Sequence, residues 1–351
     1  MTHVLPLERL QVHWAMIVFL ALLAGLGLAL GFAPWGLWPL TILGAGLFTW
    51  LVAGRGPWTG FGIGMLSGCI LYGCTIWWVG AQAGPVVWVL VVVMAVWVGL
   101  IGIASSLITR LSGWCLLVPM AWSAVEYGAE RIPFGGFPWL RLGYTTIDQP
   151  LAGWLPWIGV SGATWLVAMV GCCCLAVVVQ RRRLIPLLAT VSAFIIGGGS
   201  LLVPVDGGGQ RIAVGMVQGN AQLGLSSGYI AATGAAPHHL SETIFLLADA
   251  RAHGQQLDLI VWAENSTDTD PMLNPTTKAQ VSAAAELAQV PIDLGAVTAG
   301  PEPRTRRTTT LVWVPGQGPT DHYHKRNLAP FGEFVPYRDV LEPMFPDVKR
   351  A

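Results

Sequence analysis

Lys325 and Glu333 stand eight positions apart in HYHKRNLAPFGEFVP, residues His322 to Pro336, a stretch punctuated by glycine and proline. Lys325 is one of three lysines against sixteen arginines, the others being Lys278 and Lys349, so a lysine here is not the local habit of the chain. Arginine is locked in its charged form, whereas the proton affinity of a lysine is set by its neighbours. Upstream, LDLIVWAENSTD (Leu257 to Asp268) is an apolar run that ends abruptly in Glu264 and then turns polar. A carboxylate and an ammonium brought together could serve as a general base and as the stabiliser of a developing oxyanion. The same two residues could equally form a plain ion pair, which costs desolvation and carries no chemistry. Catalysis also needs a nucleophile, and spacing alone does not name one.

The elements that must position these groups follow Pro204, where the pattern is that of a layered α/β domain. Arg211 to Gln218 (RIAVGMVQ) reads as a buried strand. Pro237 to Gly254 reads as an amphipathic helix with Leu240, Ile244, Leu247 and Ala250 on one face, and Leu257 to Ala263 as a second buried strand. Thr276 to Gln289 reads as a helix, Ile292 to Thr298 as a strand, and Thr308 to Val314 with His322 to His324 as a hairpin about PGQG. Functional groups in such folds sit on the loops that follow strands. Glu264 and Lys325 both fall there.

The rest of the chain is of another kind. Overall 54% of the 351 residues are hydrophobic and only 11% charged, where a soluble domain is about one quarter charged. Seven apolar stretches approach the length needed to cross a bilayer, about 20 residues each when helical. They are His13 to Gly31, Leu37 to Ala53, Thr59 to Val79, Val86 to Thr109, Trp114 to Tyr127, Trp157 to Val179 and Leu184 to Val203, the fifth being short and containing Pro119. The first reads as an anchor and not as a cleaved signal, since further crossings follow it. Arg9, Arg55, Arg110 and Arg181 to Arg183 occupy alternate loops, and loops rich in basic residues stay cytoplasmic. Seven crossings with the amino terminus inside put everything after Val203 on the outer face. The expected organisation is a polytopic membrane domain over 1–204, a Gly-rich linker over 205–210 and an outer domain over 211–351. With zero net charge and no basic field, nucleic acid is not an expected partner.

Cys69, Cys74, Cys115 and Cys172 to Cys174 all lie in apolar stretches, without metal-ligand or disulfide spacing. They read as small core residues, and no metal or cofactor is expected. The loop from Gly128 to Leu155 contains IPFGGFPWLRLGYTTIDQP, in which Arg131 and Arg141 break the charge rule and so need a local reason. Its aromatic, glycine, proline and arginine content suits the lipid–water interface, where aromatic belts lie and arginine can meet lipid phosphate. A connector without special role would have the same composition. Trp35, Trp38, Trp77 and Trp78 cluster at the ends of crossings and read as anchors.

IVWAE with Glu264, and HKRNLAPFGEFVP with Lys325 and Glu333, resemble the nitrilase superfamily and, within it, the apolipoprotein N-acyltransferases. GFAPWGLWPL (Gly31 to Leu40), GFPWLRLGYTTIDQPLAGWLPWIGVSG (Gly136 to Gly162) and MVQGN (Met216 to Asn220) are similar to that family's membrane and first-strand motifs. The resemblance implies about seven transmembrane helices followed by a nitrilase-like αββα sandwich, incomplete here, on the outer face of a bacterial inner membrane. It implies transfer of a fatty acyl chain from a membrane phospholipid to the amine of the diacylglyceryl-cysteine that begins a lipoprotein. The route is a thioester on an enzyme cysteine, which splits one difficult transfer into two easier ones. Glu264 is then the general base, Lys325 stabilises the tetrahedral intermediate, and Glu333 is a further acidic group of the site. Trp139, Arg141 and Tyr144 are expected to line the access of the lipid. In the family the nucleophilic cysteine follows the lysine by some tens of residues, and no cysteine does so here. The chain is therefore expected to be the front part of such an enzyme and inactive as written. Two other readings are a membrane-tethered nitrilase-type amidase and a non-catalytic remnant that binds lipid or a partner. The tryptophan-rich loop speaks against the first, and the joint retention of Glu264, Lys325 and Glu333 against the second.

Overall fold

The computed structural model describes residues 13–180, 183–203, 208–219, 234–302, 305–330, 333–335 and 337–338. Arg9, Arg181, Arg182, Asn220, Pro336 and residues 205–207 of the expected linker lie outside them. The chain divides into two compact units, Met1–Asp206 and Gly207–Ala351.

In the first unit every one of the seven apolar stretches contains a helix. These are α1 (Trp14–Leu30), α2 (Trp38–Val52), α3 (Pro57–Thr75), α5 (Val87–Ile108), α6 (Trp114–Ala129), α7 (Leu155–Val179) and α8 (Leu184–Ser200), with a single turn, α4 (Gly80–Ala83), between α3 and α5. Helix α6 runs through Pro119, and α7 has one non-helical residue, Gly159, near its start. Among the described residues, Gly84–Ile108 and Pro150–Val179, of 25 and 30 residues, are long and apolar enough to cross a membrane. Helices α1, α2 and α8 are apolar but shorter. The loop between α6 and α7 holds two 3-10 turns, Leu142–Thr146 and Pro150–Trp154.

Small residues set how closely these helices meet. A Cβ at Gly60 or at Gly102 would fall on the other's carbonyl, so α3 and α5 cross backbone to backbone. Ser67 on α3 donates its hydroxyl to the carbonyl of Ala21 on α1 at 2.8 Å. Inside lie Leu28, Phe48, Leu51, Trp114, Trp122 and Leu142. Outside, Phe19, Leu43, Trp58, Val89, Ile185 and Ile195 are exposed. A water-soluble protein rarely leaves so much apolar surface bare, and lipid chains are its natural solvent.

The second unit is a five-stranded sheet in the order β1 (Val214–Val217), β2 (Leu259–Trp262), β3 (Ile292–Ala299), β4 (Arg306–Val314), β5 (Gly318–His324). The pairings β1/β2 and β2/β3 are parallel, β3/β4 and β4/β5 antiparallel. The crossovers are α9 (Ala235–Ala252) and α10 (Pro275–Ala288). Right-handed crossovers in an unreversed strand order put both helices on one face, and they pack on each other there. Alternate residues Ile292, Leu294 and Ala296 of β3 face Val281, Ala284 and Ala285 of α10 in one core with Ile260, Trp262 and Trp313. Helix α10 starts where Asn274 accepts hydrogen bonds from the N–H groups of Thr276 and Thr277 at 3.0 and 3.2 Å, with Pro275 in the first position. Strand β5 begins at Gly318, four residues before the expected hairpin arm. Its Pro319 is tolerated because β5 has a ladder partner on one side only among the described residues. The described residues thus hold one sheet with one helical layer. The second half of an αββα sandwich is not among them.

Candidate active site

Past Trp262 the chain turns sharply. Asn265 adopts φ 56, a left-handed conformation that asparagine tolerates. Ser266 donates both its backbone N–H, at 2.7 Å, and its hydroxyl, at 2.8 Å, to the carbonyl of Gly295 on β3. Gly295 lies against this turn: a Cβ there would stand 2.6 Å from the Cα of Glu264. Glycine is what allows β3 and the Glu264 turn to meet.

Strand β5 hands the chain to Lys325, whose N–H still bonds the carbonyl of Thr308 at 2.9 Å. The Lys325 Nζ donates to Glu264 Oε1 at 3.0 Å and to Glu333 Oε1 at 2.7 Å. The second oxygen of Glu333 accepts from the Ala329 N–H at 2.7 Å, and the Glu333 N–H donates to the Ala329 carbonyl at 2.9 Å. Glu333 therefore closes the loop that Lys325 opens. The side chains of Lys325, Glu264 and Glu333 are 34%, 57% and 23% exposed.

Burial is the largest single influence on Lys325 and would lower its pKa, but hydrogen bonds and charge from Glu333 and Glu264 together carry it above the ordinary lysine value. Lys325 is held as a cation. It suits stabilisation of negative charge and not proton abstraction. An ammonium has three N–H donors; two meet the carboxylates, and the third can meet an oxyanion. Glu264, the more exposed carboxylate and the one with the longer bond, is placed to take a proton. Glu333, bound through both oxygens, is placed to hold the lysine. Among the described residues, no three His, Cys, Asp or Glu side chains gather as a metal site.

The other three expected site residues share one loop of the helical unit. Trp139 is 53% exposed, its ring 4.9 Å from that of Trp78 and 6.3 Å from that of Phe137. The Tyr144 hydroxyl donates to the Pro138 carbonyl at 3.4 Å. Arg141 is not extended toward a phosphate: its side chain is 13% exposed, ion-paired with Glu130 and bonded to the Ser161 hydroxyl at 2.9 Å. Arg131 also pairs with Glu130, at 3.4 Å, and stacks over the Tyr127 ring. The local reason for two arginines that break the charge rule is therefore Glu130, which meets both within the protein.

Residues 24–173 match the family model described as the apolipoprotein N-acyltransferase N-terminal domain. The chain is 29% identical to the apolipoprotein N-acyltransferase of Mycolicibacterium smegmatis, over 93% of its own length and 60% of the relative's. It is 27% identical to that of Vibrio parahaemolyticus (93% and 67%) and 28% identical to that of Pseudomonas syringae pv. tomato (92% and 66%). The chain is thus similar to apolipoprotein N-acyltransferases over more than nine tenths of its length. It spans about two thirds or less of the length of these acyltransferases, and its relationship to them runs through both the helical and the sheet unit.

The sequence alone assigned no role to Glu126 and Glu130. The signal was present: a carboxylate within an apolar crossing is costly and marks a site by default. Glu126 accepts the N–H of Leu142 at 3.0 Å and the hydroxyl of Thr164 at 2.7 Å, both distant in sequence.

Proposed function

We propose that this chain carries the acyl-transfer site of a lipoprotein N-acyltransferase, with residues 1–204 forming a polytopic membrane domain of seven crossings and residues 211–351 part of an αββα nitrilase-like domain on the outer face of the bacterial inner membrane. The acyl donor is a membrane phospholipid and the acceptor the N-terminal diacylglyceryl-cysteine of a lipoprotein. Glu264 takes the proton from the attacking thiol and gives it to the departing lysophospholipid oxygen, then takes a proton from the acceptor amine and returns it to the departing thiolate. Lys325 stabilises the oxyanion of each tetrahedral intermediate, and Glu333 keeps Lys325 charged and in place. Trp139 and Tyr144 border the path of the lipid, with Arg141 fixing their loop through Glu130. All six cysteines lie in α3, α6 and α7, so the thiol that forms the thioester in this reading is not one of them.

The observation that carries the reading is the Lys325 ammonium held at 3.0 and 2.7 Å between Glu264 and Glu333, in a chain similar to apolipoprotein N-acyltransferases. The test offers the protein, expressed from its natural reading frame and purified in detergent, a phospholipid donor and a synthetic diacylglyceryl lipopeptide. The lipopeptide is expected to gain the mass of one acyl chain only when phospholipid is present. No gain with either donor or acceptor varied would remove the reading.

A further inference from the structure

The helical unit contains a buried carboxylate that the proposed chemistry does not use. Glu126, on α6, accepts the Leu142 N–H at 3.0 Å through Oε1 and the Thr164 hydroxyl at 2.7 Å through Oε2. The Thr164 oxygen, on α7, in turn accepts the Gly143 N–H at 3.0 Å. One carboxylate thus ties together α6, α7 and the first two residues of the 3-10 turn Leu142–Thr146. The turn is otherwise closed on itself, with Thr145 and Thr146 donating to the carbonyls of Leu142 and Gly143 at 2.7 Å each. Leu142 and Thr164 are fully buried, so neither donor has water to fall back on, and losing the acceptor leaves buried groups unmet.

We infer that Glu126 is a positioning residue, holding in shape the loop that presents Trp139, Arg141 and Tyr144. This deepens the proposed function and rests on its reading of that loop as the lipid's path. Trp139 precedes the tied turn by three residues and owes its approach to Trp78 to the loop's course. Arg141, next to Leu142, is held by Glu130 and Ser161, which fixes the side chain but not the turn behind it. Without Glu126 the turn has lost its link to α6. The loop then samples open forms, and Trp139 no longer has one place.

The test uses the 351-residue chain in nanodiscs of phosphatidylethanolamine and phosphatidylglycerol, with plain or dibrominated acyl chains. Two signals are read: trypsin cleavage after Arg141, normalised to cleavage after Arg326 in the sheet unit, and the bromine-quenched fluorescence assigned to Trp139 by difference from Trp139→Phe. Glu126→Ala should speed cleavage after Arg141 about tenfold, the change that roughly 1.4 kcal/mol of local opening gives, and abolish the Trp139 signal. Glu126→Gln, whose amide oxygen still accepts from Leu142, should stay within about twofold of the parent on both. Should Glu126→Ala fail to insert, Thr164→Val removes the hydroxyl that bonds Glu126 and the acceptor of the Gly143 N–H while leaving the Leu142 bond, and should loosen the loop in part. Parental protection of Arg141 in both disrupting variants would overturn the inference, as would a Gln variant as loose as the Ala one. Absence of bromine quenching in the parent, with Arg141 still released by Glu126→Ala, would sink the lipid-path reading and leave the positioning role standing.

Discussion

Glu333 binds Lys325 more closely than Glu264 does, at 2.7 against 3.0 Å, and at the same time anchors the loop through the Ala329 N–H. One carboxylate thus sets both the place and the charge of the lysine. The other is left freer to act.

The raised pKa of Lys325 gives a signed expectation. A lysine held above its usual value is fully charged at neutral pH and loses its proton only as pH rises through that raised value. Glu333→Gln removes one of the two supporting carboxylates and lets the opposing effect of burial count for more. The alkaline limb of the rate profile should move to lower pH, with kcat down on the order of tenfold or more. An unmoved alkaline limb would take Glu333 out of this role.

Gly295→Ala places a methyl 2.6 Å from the Cα of Glu264. The turn must shift, at a cost of about 1–3 kcal/mol for an overpacked contact. Acyl transfer should fall by at least about tenfold, since small misplacements of a catalytic group are felt strongly, while the far-ultraviolet spectrum of the sheet stays intact. Activity equal to the parent would mean that Glu264 does not depend on this contact.

His239 is buried against Trp262 with a defined tautomer: Nδ1 donates to the Ala235 carbonyl at 2.8 Å and Nε2 accepts the Gly219 N–H at 3.2 Å. Burial lowers its pKa, so the unfolded chain binds the proton more readily than the folded one. Stability should be present above the unfolded value of about 6.5 and decline as pH falls from there toward the folded value. Urea unfolding of the sheet unit between pH 7 and pH 5 tests this. His239→Gln should be less stable at pH 7 and flatter with pH; an unchanged slope would assign the pH dependence elsewhere.

None of the six cysteines is expected to become acylated. The 351-residue chain offered a phospholipid with a labelled acyl chain should show no hydroxylamine-sensitive label. A label on any cysteine of α3, α6 or α7 would overturn the choice of nucleophile.

The parts of this chain that were legible in its sequence are those written in local pattern. Apolar length marked each long helix of the first unit, and alternation marked β1 to β4, because burial on one face leaves a periodic trace. Glu264 and Lys325 stood out by type and by place after strands, and Glu333 through the family resemblance; the fold brings the three side chains together, and their roles are proposals. What was not legible depends on contacts between distant residues. Arg141 reads as an interfacial cation until Glu130 and Ser161 are seen to enclose it. Glu126 reads as one more residue of a short crossing until Leu142 and Thr164 arrive, sixteen and thirty-eight positions on. The start of β5 was missed because Gly318 and Pro319 are turn-formers, and only pairing with Val314 and Trp313 makes them strand.

The most direct measurement is the mass of the N-terminal lipopeptides of lipoproteins from a bacterium depleted of its own N-acyltransferase and supplied with this protein from its natural reading frame. The account predicts a third, amide-linked acyl chain with the parent sequence. It predicts a fall of at least about a hundredfold, the usual scale for losing a transition-state contact, with Glu264→Gln or Lys325→Ala inserted normally in the membrane. Full acylation by either variant, or none by the parent, would contradict it.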